Sequence, residues 1–127
     1  VATDDRVELV TEEALPNADV LLPGSIADAL EAFPITPDTS IIVVTRSSEV
    51  DVAALPLLLA TSASHIGVMG SRRRWHITRD ALIEAGVAAD RVDRIHSPIG
   101  IELGAETLEE IAVSVLAEVI SMNRRES

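Results

Sequence analysis

Short apolar blocks alternate with amphipathic ones along the chain, and the alternation predicts an α/β fold. Residues 19–22, 40–45 and 65–69 read as strands. The second contains the β-branched run Ile41-Ile42-Val43-Val44 between turn residues, the pattern of a parallel strand buried on both faces. A possible first strand spans 1–3. Each later strand leads into a helix signal. After Pro23-Gly24, Ser25 with Asp28 three positions on forms a capping pair, and Ile26, Ala29, Leu30 and Phe33 share one apolar face before Pro34. Asp51 is the expected cap of a second helix reaching Leu59, interrupted by Pro56, which removes a hydrogen bond. A third helix is expected from Arg72 to Ala85, between Ser71 at its N-cap and Gly86 just past its end.

The last helix carries the strongest signal. Thr107-Leu108-Glu109-Glu110 is a capping box in which Thr107 and Glu110 satisfy each other's exposed amides. Leu108, Ile111, Ala112, Val115, Leu116, Val119 and Ile120 recur at helical spacing and predict the core face. Val113 and Ala117 widen that stripe, enough to cover a sheet on one side and a second copy of the chain on the other.

Length and composition narrow the picture. One domain is expected from 127 residues, and 47% hydrophobic content suffices for a continuous core. The absence of cysteine removes disulfides, thiolate metal sites and thiol nucleophiles. The most apolar stretch, Leu55 to Ala60, is far shorter than a membrane span, and the first residues lack a signal-peptide layout, so a cytoplasmic protein is expected. All ten basic residues are arginine against 21 acids, giving a net charge of −11. Such a surface repels nucleic-acid backbones and anionic membranes. Either a halophilic, salt-rich cytoplasm or a GC-rich genome that writes Arg for Lys accounts for the missing lysines.

Candidate chemistry gathers at residues 67–74, Gly-Val-Met-Gly-Ser-Arg-Arg-Arg, where a strand ends and a helix begins. Cations in the first turn of a helix oppose its dipole by roughly 0.3–1 kcal/mol each. Three arginines there predict either pairing with nearby acids or a bound anion. An anion would meet the amides of Gly70 to Arg73, the Ser71 hydroxyl and guanidinium groups, the arrangement by which α/β proteins hold phosphate. The second candidate is the loop 94–106, with His96, Pro98, Gly100 and Gly104 directly before the capping box. His96 could hydrogen-bond a ligand or serve structure alone. Asp4 and Asp5, at the end of the possible first strand, could accept ribose hydroxyls. The histidines have no metal-ligand spacing, and neither a P-loop nor a catalytic triad is present, so no catalytic residue is assigned.

Residues 65–74, 94–107 and 109–118 closely resemble the XdhC/CoxI family of xanthine dehydrogenase accessory factors, in the family's C-terminal Rossmann-like domain. Asp4-Asp5-Arg6 resembles the family's Asp-x-Arg at the end of its second strand, so the likeness runs from the first residues to about Arg124. The resemblance implies a three-layer Rossmann-like domain with a mostly parallel sheet. It further implies a maturation factor that binds the molybdenum cofactor (molybdopterin), a phosphate-bearing pterin, and assists its insertion into a molybdenum hydroxylase client. Gly67, Gly70, Ser71, Arg72 and Arg73 would then contact the cofactor, with His96, Pro98 and Gly100 on the opposite loop and Asp4 and Asp5 beside the second strand.

Two departures from the family pattern stand out. Thr45-Arg46-Ser47 replaces the usual Thr-His-Asp, and the sequence starts after the family's first strand and glycine turn. In a 3-2-1-4-5 strand order, the missing first strand would leave two unpaired strand edges that something must cover. A homodimer using the last helix around Val113 and Ala117 is the expected solution. Two other classes of function remain open: an NAD(P)-binding oxidoreductase-like domain using Asp4 or Asp5, and a non-catalytic dimerisation domain.

Overall fold

Among the described residues of the computed structural model every strand pairing is parallel, and the five strands fall into two sheets. The structure describes residues 1–125. The chain divides into two compact units, Val1–Thr36 and Pro37–Ser127.

In the first unit, β1 (Ala2–Asp4) pairs with β2 (Leu21–Pro23), joined by a segment containing a short 3-10 helix, Val7–Leu9. Helix α1 (Ile26–Ala32) follows, and Ser25 caps it by accepting from the Asp28 amide at 3.1 Å. Its face Ile26, Ala29, Leu30 and Phe33 is half-buried, as the spacing predicts. The strands begin one or two residues later than the sequence pattern suggests, because pairing register rather than hydropathy sets their limits.

The second unit carries β3 (Ser40–Val43), α2 (Ser48–Leu59), β4 (His65–Val68), α3 (Arg72–Glu84), a short α4 (Ala89–Val92), β5 (Ile95–His96) and α5 (Leu108–Arg125). The sheet order is β3-β4-β5, and all four residues of the central strand β4 are buried. The core is built from Val43, Leu55, Leu58, Leu59, Ile66, Val68, Leu82, Val92, Ile95 and Ile99, with Met122 from α5.

Two expectations are corrected here. Ser47, not Asp51, caps α2, its hydroxyl accepting from the Val50 amide at 3.3 Å. Asp51 sits inside the helix with its side chain fully buried. The helix continues through Pro56, since burial of Leu55, Leu58 and Leu59 around the proline offsets the lost hydrogen bond.

The larger correction concerns α5. Its capping box forms as expected: Glu110 accepts from the Thr107 amide at 2.8 Å, and Thr107 accepts from the Glu110 amide at 3.1 Å. The helix is rotated part-way from the expected face, however, and only Ile111, Val115 and Val119 of that face are half-buried. Ser114 and Met122 are buried, with Ile111, Val115 and Glu118 half-buried beside them. Leu108, Ala112, Leu116 and Ile120, assigned to the core by their spacing, are exposed. Contact with the preceding loop accounts for the rotation. Ile101 donates its amide to the Ser114 carbonyl at 3.1 Å, and a side chain on Gly100 would lie only 2.6 Å from the Ser114 hydroxyl. Serine facing glycine lets the backbones approach more closely than leucine would.

Candidate functional site

The β4-to-α3 turn is held from two sides. Met69 donates its amide to Val43 of β3 at 2.9 Å, extending the sheet by one residue. Gly70 then turns the chain with φ +145°, a conformation side chains disfavour. Ser71 caps α3, accepting from the Arg74 amide at 3.0 Å. Among the described residues, the amides of Gly70, Ser71, Arg72 and Arg73 have no protein acceptor. Four consecutive donors thus remain at the positive end of a thirteen-residue helix.

The three arginines have different surroundings. Arg74 folds back across the turn and donates to buried Asp51 at 2.7 Å and to the Thr45 hydroxyl at 2.8 Å. Thr45 in turn donates to Asp51. Gly70 is the residue that leaves room for this, because a side chain there would meet the Arg74 Cδ at 3.1 Å. The pairing reading therefore holds for Arg74. Arg72 and Arg73 are exposed and make no ion pair or side-chain hydrogen bond among the described residues. They leave two uncompensated guanidinium groups beside the open amides.

The second candidate loop packs onto the same strand. Ser97–Pro98 is a cis peptide bond. Around it, the Ser97 hydroxyl and the Ile99 amide both donate to the Val68 carbonyl, at 3.0 and 2.9 Å. Ile99 covers Gly67 so closely that a side chain on Gly67 would lie 2.6 Å from its Cδ1. Gly67 is thus a packing position beneath the loop. An open cleft of about 310 Å³ lies between this loop, the Met69-Gly70 turn and α5. Its lining comprises Met69, Gly70, Ile99, Gly100, Ile101, Glu102, Leu103, Gly104, Ala105, Ile111 and Ser114.

The predicted site residues are therefore only partly united. Gly70 and Gly100 line one cleft, and Ser71, Arg72 and Arg73 continue directly from its Gly70 edge. His96 lines a different one, of about 320 Å³, with Ser64, His65, Asp93, Arg94, Met122 and Arg125. There its ring meets that of His65 edge-on at 6.3 Å. Pro98 positions the loop without lining either cleft. Asp4 and Asp5 belong to the first unit. The Asp4 carboxylate accepts from the Arg6 amide at 2.8 Å and from its guanidinium at 3.1 and 3.0 Å. These hydrogen bonds from Arg6 hold the Asp4 carboxyl down at about 2.

Sequence reasoning placed Glu102 and Leu103 in the candidate loop 94–106 and Ile111 on the inward face of the last helix, but it missed Ser114 as a wall of the cleft. Ser114 is polar and lies off the predicted apolar face, and the helix rotation that brings it inward is not visible in the period. The Thr45–Asp51–Arg74 cluster was also missed, although the unusual arginine run marked one of its members. Among the described residues, no group of three or more His, Asp or Glu side chains converges to hold a metal ion, and no helix is long and apolar enough to cross a membrane.

Parallel strands joined by helix crossovers, with open amides at a glycine turn, define a Rossmann-type α/β domain. The family model described as the XdhC Rossmann domain matches residues 1–119, and the chain belongs to that family. It is 36% identical over 122 residues to the uncharacterized protein YqeB of Escherichia coli, a match covering 96% of this chain and 22% of that protein. It is 31% identical over 125 residues to a Bacillus subtilis protein described as a probable xanthine dehydrogenase component, covering 98% of this chain and 36% of the relative. A crystal structure described as a xanthine dehydrogenase from Bacillus halodurans superposes with a TM-score of 0.79 at 31% identity, over 98% of this chain and 35% of that one. The chain thus spans about a fifth to about a third of the length of these relatives.

Proposed function

We propose that this domain binds the molybdenum cofactor through its phosphate and serves as an accessory factor that hands it to a molybdenum hydroxylase client. The observation that carries the reading is the set of four open amides at Gly70–Arg73, flanked by Arg72 and Arg73 without acidic partners, at the mouth of an open cleft. In a chain of net charge −11, two unneutralised arginines at a helix N-terminus favour an anionic ligand.

The cleft suits the rest of a phosphate-bearing pterin. Met69, Ile99, Ile101, Leu103 and Ile111 offer apolar surface for a flat heterocycle, and Glu102 offers a carboxylate. A carboxylate is the natural acceptor for the adjacent N–H groups of an aminopyrimidinone ring, pairing with two donors at once. In this reading the Gly70–Arg73 amides and guanidinium groups hold the phosphate, Glu102 reads the ring edge, and the protein binds and orients without itself reacting. The family and the Bacillus subtilis relative described as a probable xanthine dehydrogenase component support a client of that type.

Mass spectrometry of gently purified protein tests the proposal. A phosphorylated pterin should travel with the wild-type chain and be lost from the Arg72→Ala/Arg73→Ala variant. A dinucleotide in its place would transfer the site to the NAD(P) alternative. Protein that carries neither, and whose Ser71 amide resonance does not move on titration with millimolar phosphate, would overturn the anion reading itself.

A further inference from the structure

The outward face of α5 is apolar where a solvent-facing helix is ordinarily polar. Leu108, Val113, Leu116 and Ile120 are 78%, 58%, 61% and 56% exposed, and the last three form one stripe at spacings of three and four residues. Scattered exposed apolar residues need no explanation, but a continuous stripe over two turns of one helix marks a contact surface.

The charges at the ends of this helix specify what fits it. Its first turn carries Glu109 and Glu110, and its last turn carries Arg124 and Arg125. A helix paired with it in parallel would set acid against acid and base against base if it had the same sequence. The antiparallel pairing of the same sequence brings opposite charges together at both ends. Centred between Leu116 and Ala117, that pairing sets Val113 against the second copy's Ile120, Leu116 against the small Ala117, and the acidic first turn against the second copy's basic last turn. The stripe is thereby complementary to itself in apolar contact, in size and in charge, as a two-fold symmetric interface requires.

We infer that α5 is a self-association surface, and that two copies of this chain pair through antiparallel α5 helices crossing near Ala117. This pairing is independent of ligand at the Gly70 turn. Because each copy carries a net charge of −11, screening of their mutual repulsion should favour association in molar KCl over dilute buffer.

Sedimentation equilibrium of the 127-residue chain in molar KCl should give a mass twice that of the 13.5 kDa chain. Leu116→Glu, at an exposed position, should keep its helical circular dichroism and weaken the dimer at least roughly tenfold by burying a charge at its centre. The chain has no cysteine, so Ala117→Cys provides a clean crosslink. It should form a disulfide-linked dimer rapidly under mild oxidation, whereas Glu84→Cys at the end of α3 should not. A monomer at ~100 μM in molar KCl overturns the inference, as does a dimer that survives Leu116→Glu unchanged or forms no Ala117→Cys crosslink.

Discussion

Helices α3 and α5 both begin with a serine or threonine cap on the same unit, yet they use sequence rules in opposite ways. Helix α3 violates local electrostatics at its start with Arg72-Arg73-Arg74, and the violation marks the candidate site. Helix α5 obeys every local rule, with a complete capping box, acids first and bases last. Even so, more than half of its regular apolar stripe, Leu108, Ala112, Leu116 and Ile120, points away from the core. A local conflict locates a site better than a strong pattern locates a core, because a conflict must be resolved by some particular partner. A pattern can be satisfied by the protein's own core or by another molecule.

The sharpest test sets the buried ion pair of α3 against the exposed stripe of α5. Asp51→Ala strands Arg74 without its buried partner and should cost about 3–5 kcal/mol in urea unfolding. Leu116→Gln, measured at high dilution so that association does not contribute, should change stability by less than about 0.5 kcal/mol. The reverse order would mean that the stripe, not the ion pair, anchors its helix.

The loop contact that sets the rotation of α5 gives the next effect. Gly100→Ala meets both a φ of +121° and the Ser114 hydroxyl at 2.6 Å, and should lose about 2–3 kcal/mol. Adding Ser114→Ala should recover the part due to overlap. Gly104→Ala, with φ +67° and open space around it, should lose only about 1 kcal/mol. Equal losses at the two glycines would show that the Ser114 contact does not fix the helix.

Removing Arg72 or Arg73 should separate ligand binding from folding. In anion-free buffer, each alanine variant should be as stable as the wild type or more stable by about 0.3–1 kcal/mol, since a cation leaves the positive end of α3. Phosphate affinity should fall about tenfold for each, read by titration calorimetry. Lower stability together with unchanged phosphate binding would return both arginines to a structural role.

The smallest effect lies in the first unit. The Asp4 carboxyl is held at about 2, below its ordinary 3.8, by hydrogen bonds from Arg6. Its contribution is therefore fully present above about pH 4 and is lost as pH falls through about 2. Partial solvent exposure limits it to no more than about 1 kcal/mol. Comparing the acid unfolding of Arg6→Gln with that of the wild type should show the difference closing at low pH.

Much of this molecule is legible in one dimension. The β-branched run at Ile41–Val43, the Ser25 cap and the Thr107–Glu110 box report interactions within a few residues of each other, so local chemistry alone specifies them. The same holds for the Gly70-Ser71 turn and for the conflict among its arginines. Tertiary structure decided the rest. It assigned Arg74 rather than Arg72 or Arg73 to Asp51, which lies 23 positions away in the chain. It sent His96 to a different cleft from Gly100, although they lie only four positions apart. It also turned α5 so that Ser114 faces Gly100 and Leu116 faces outward. A helical period defines which residues share a face, but not which face turns inward, because that depends on the shape and hydrogen-bonding needs of a surface formed elsewhere in the chain.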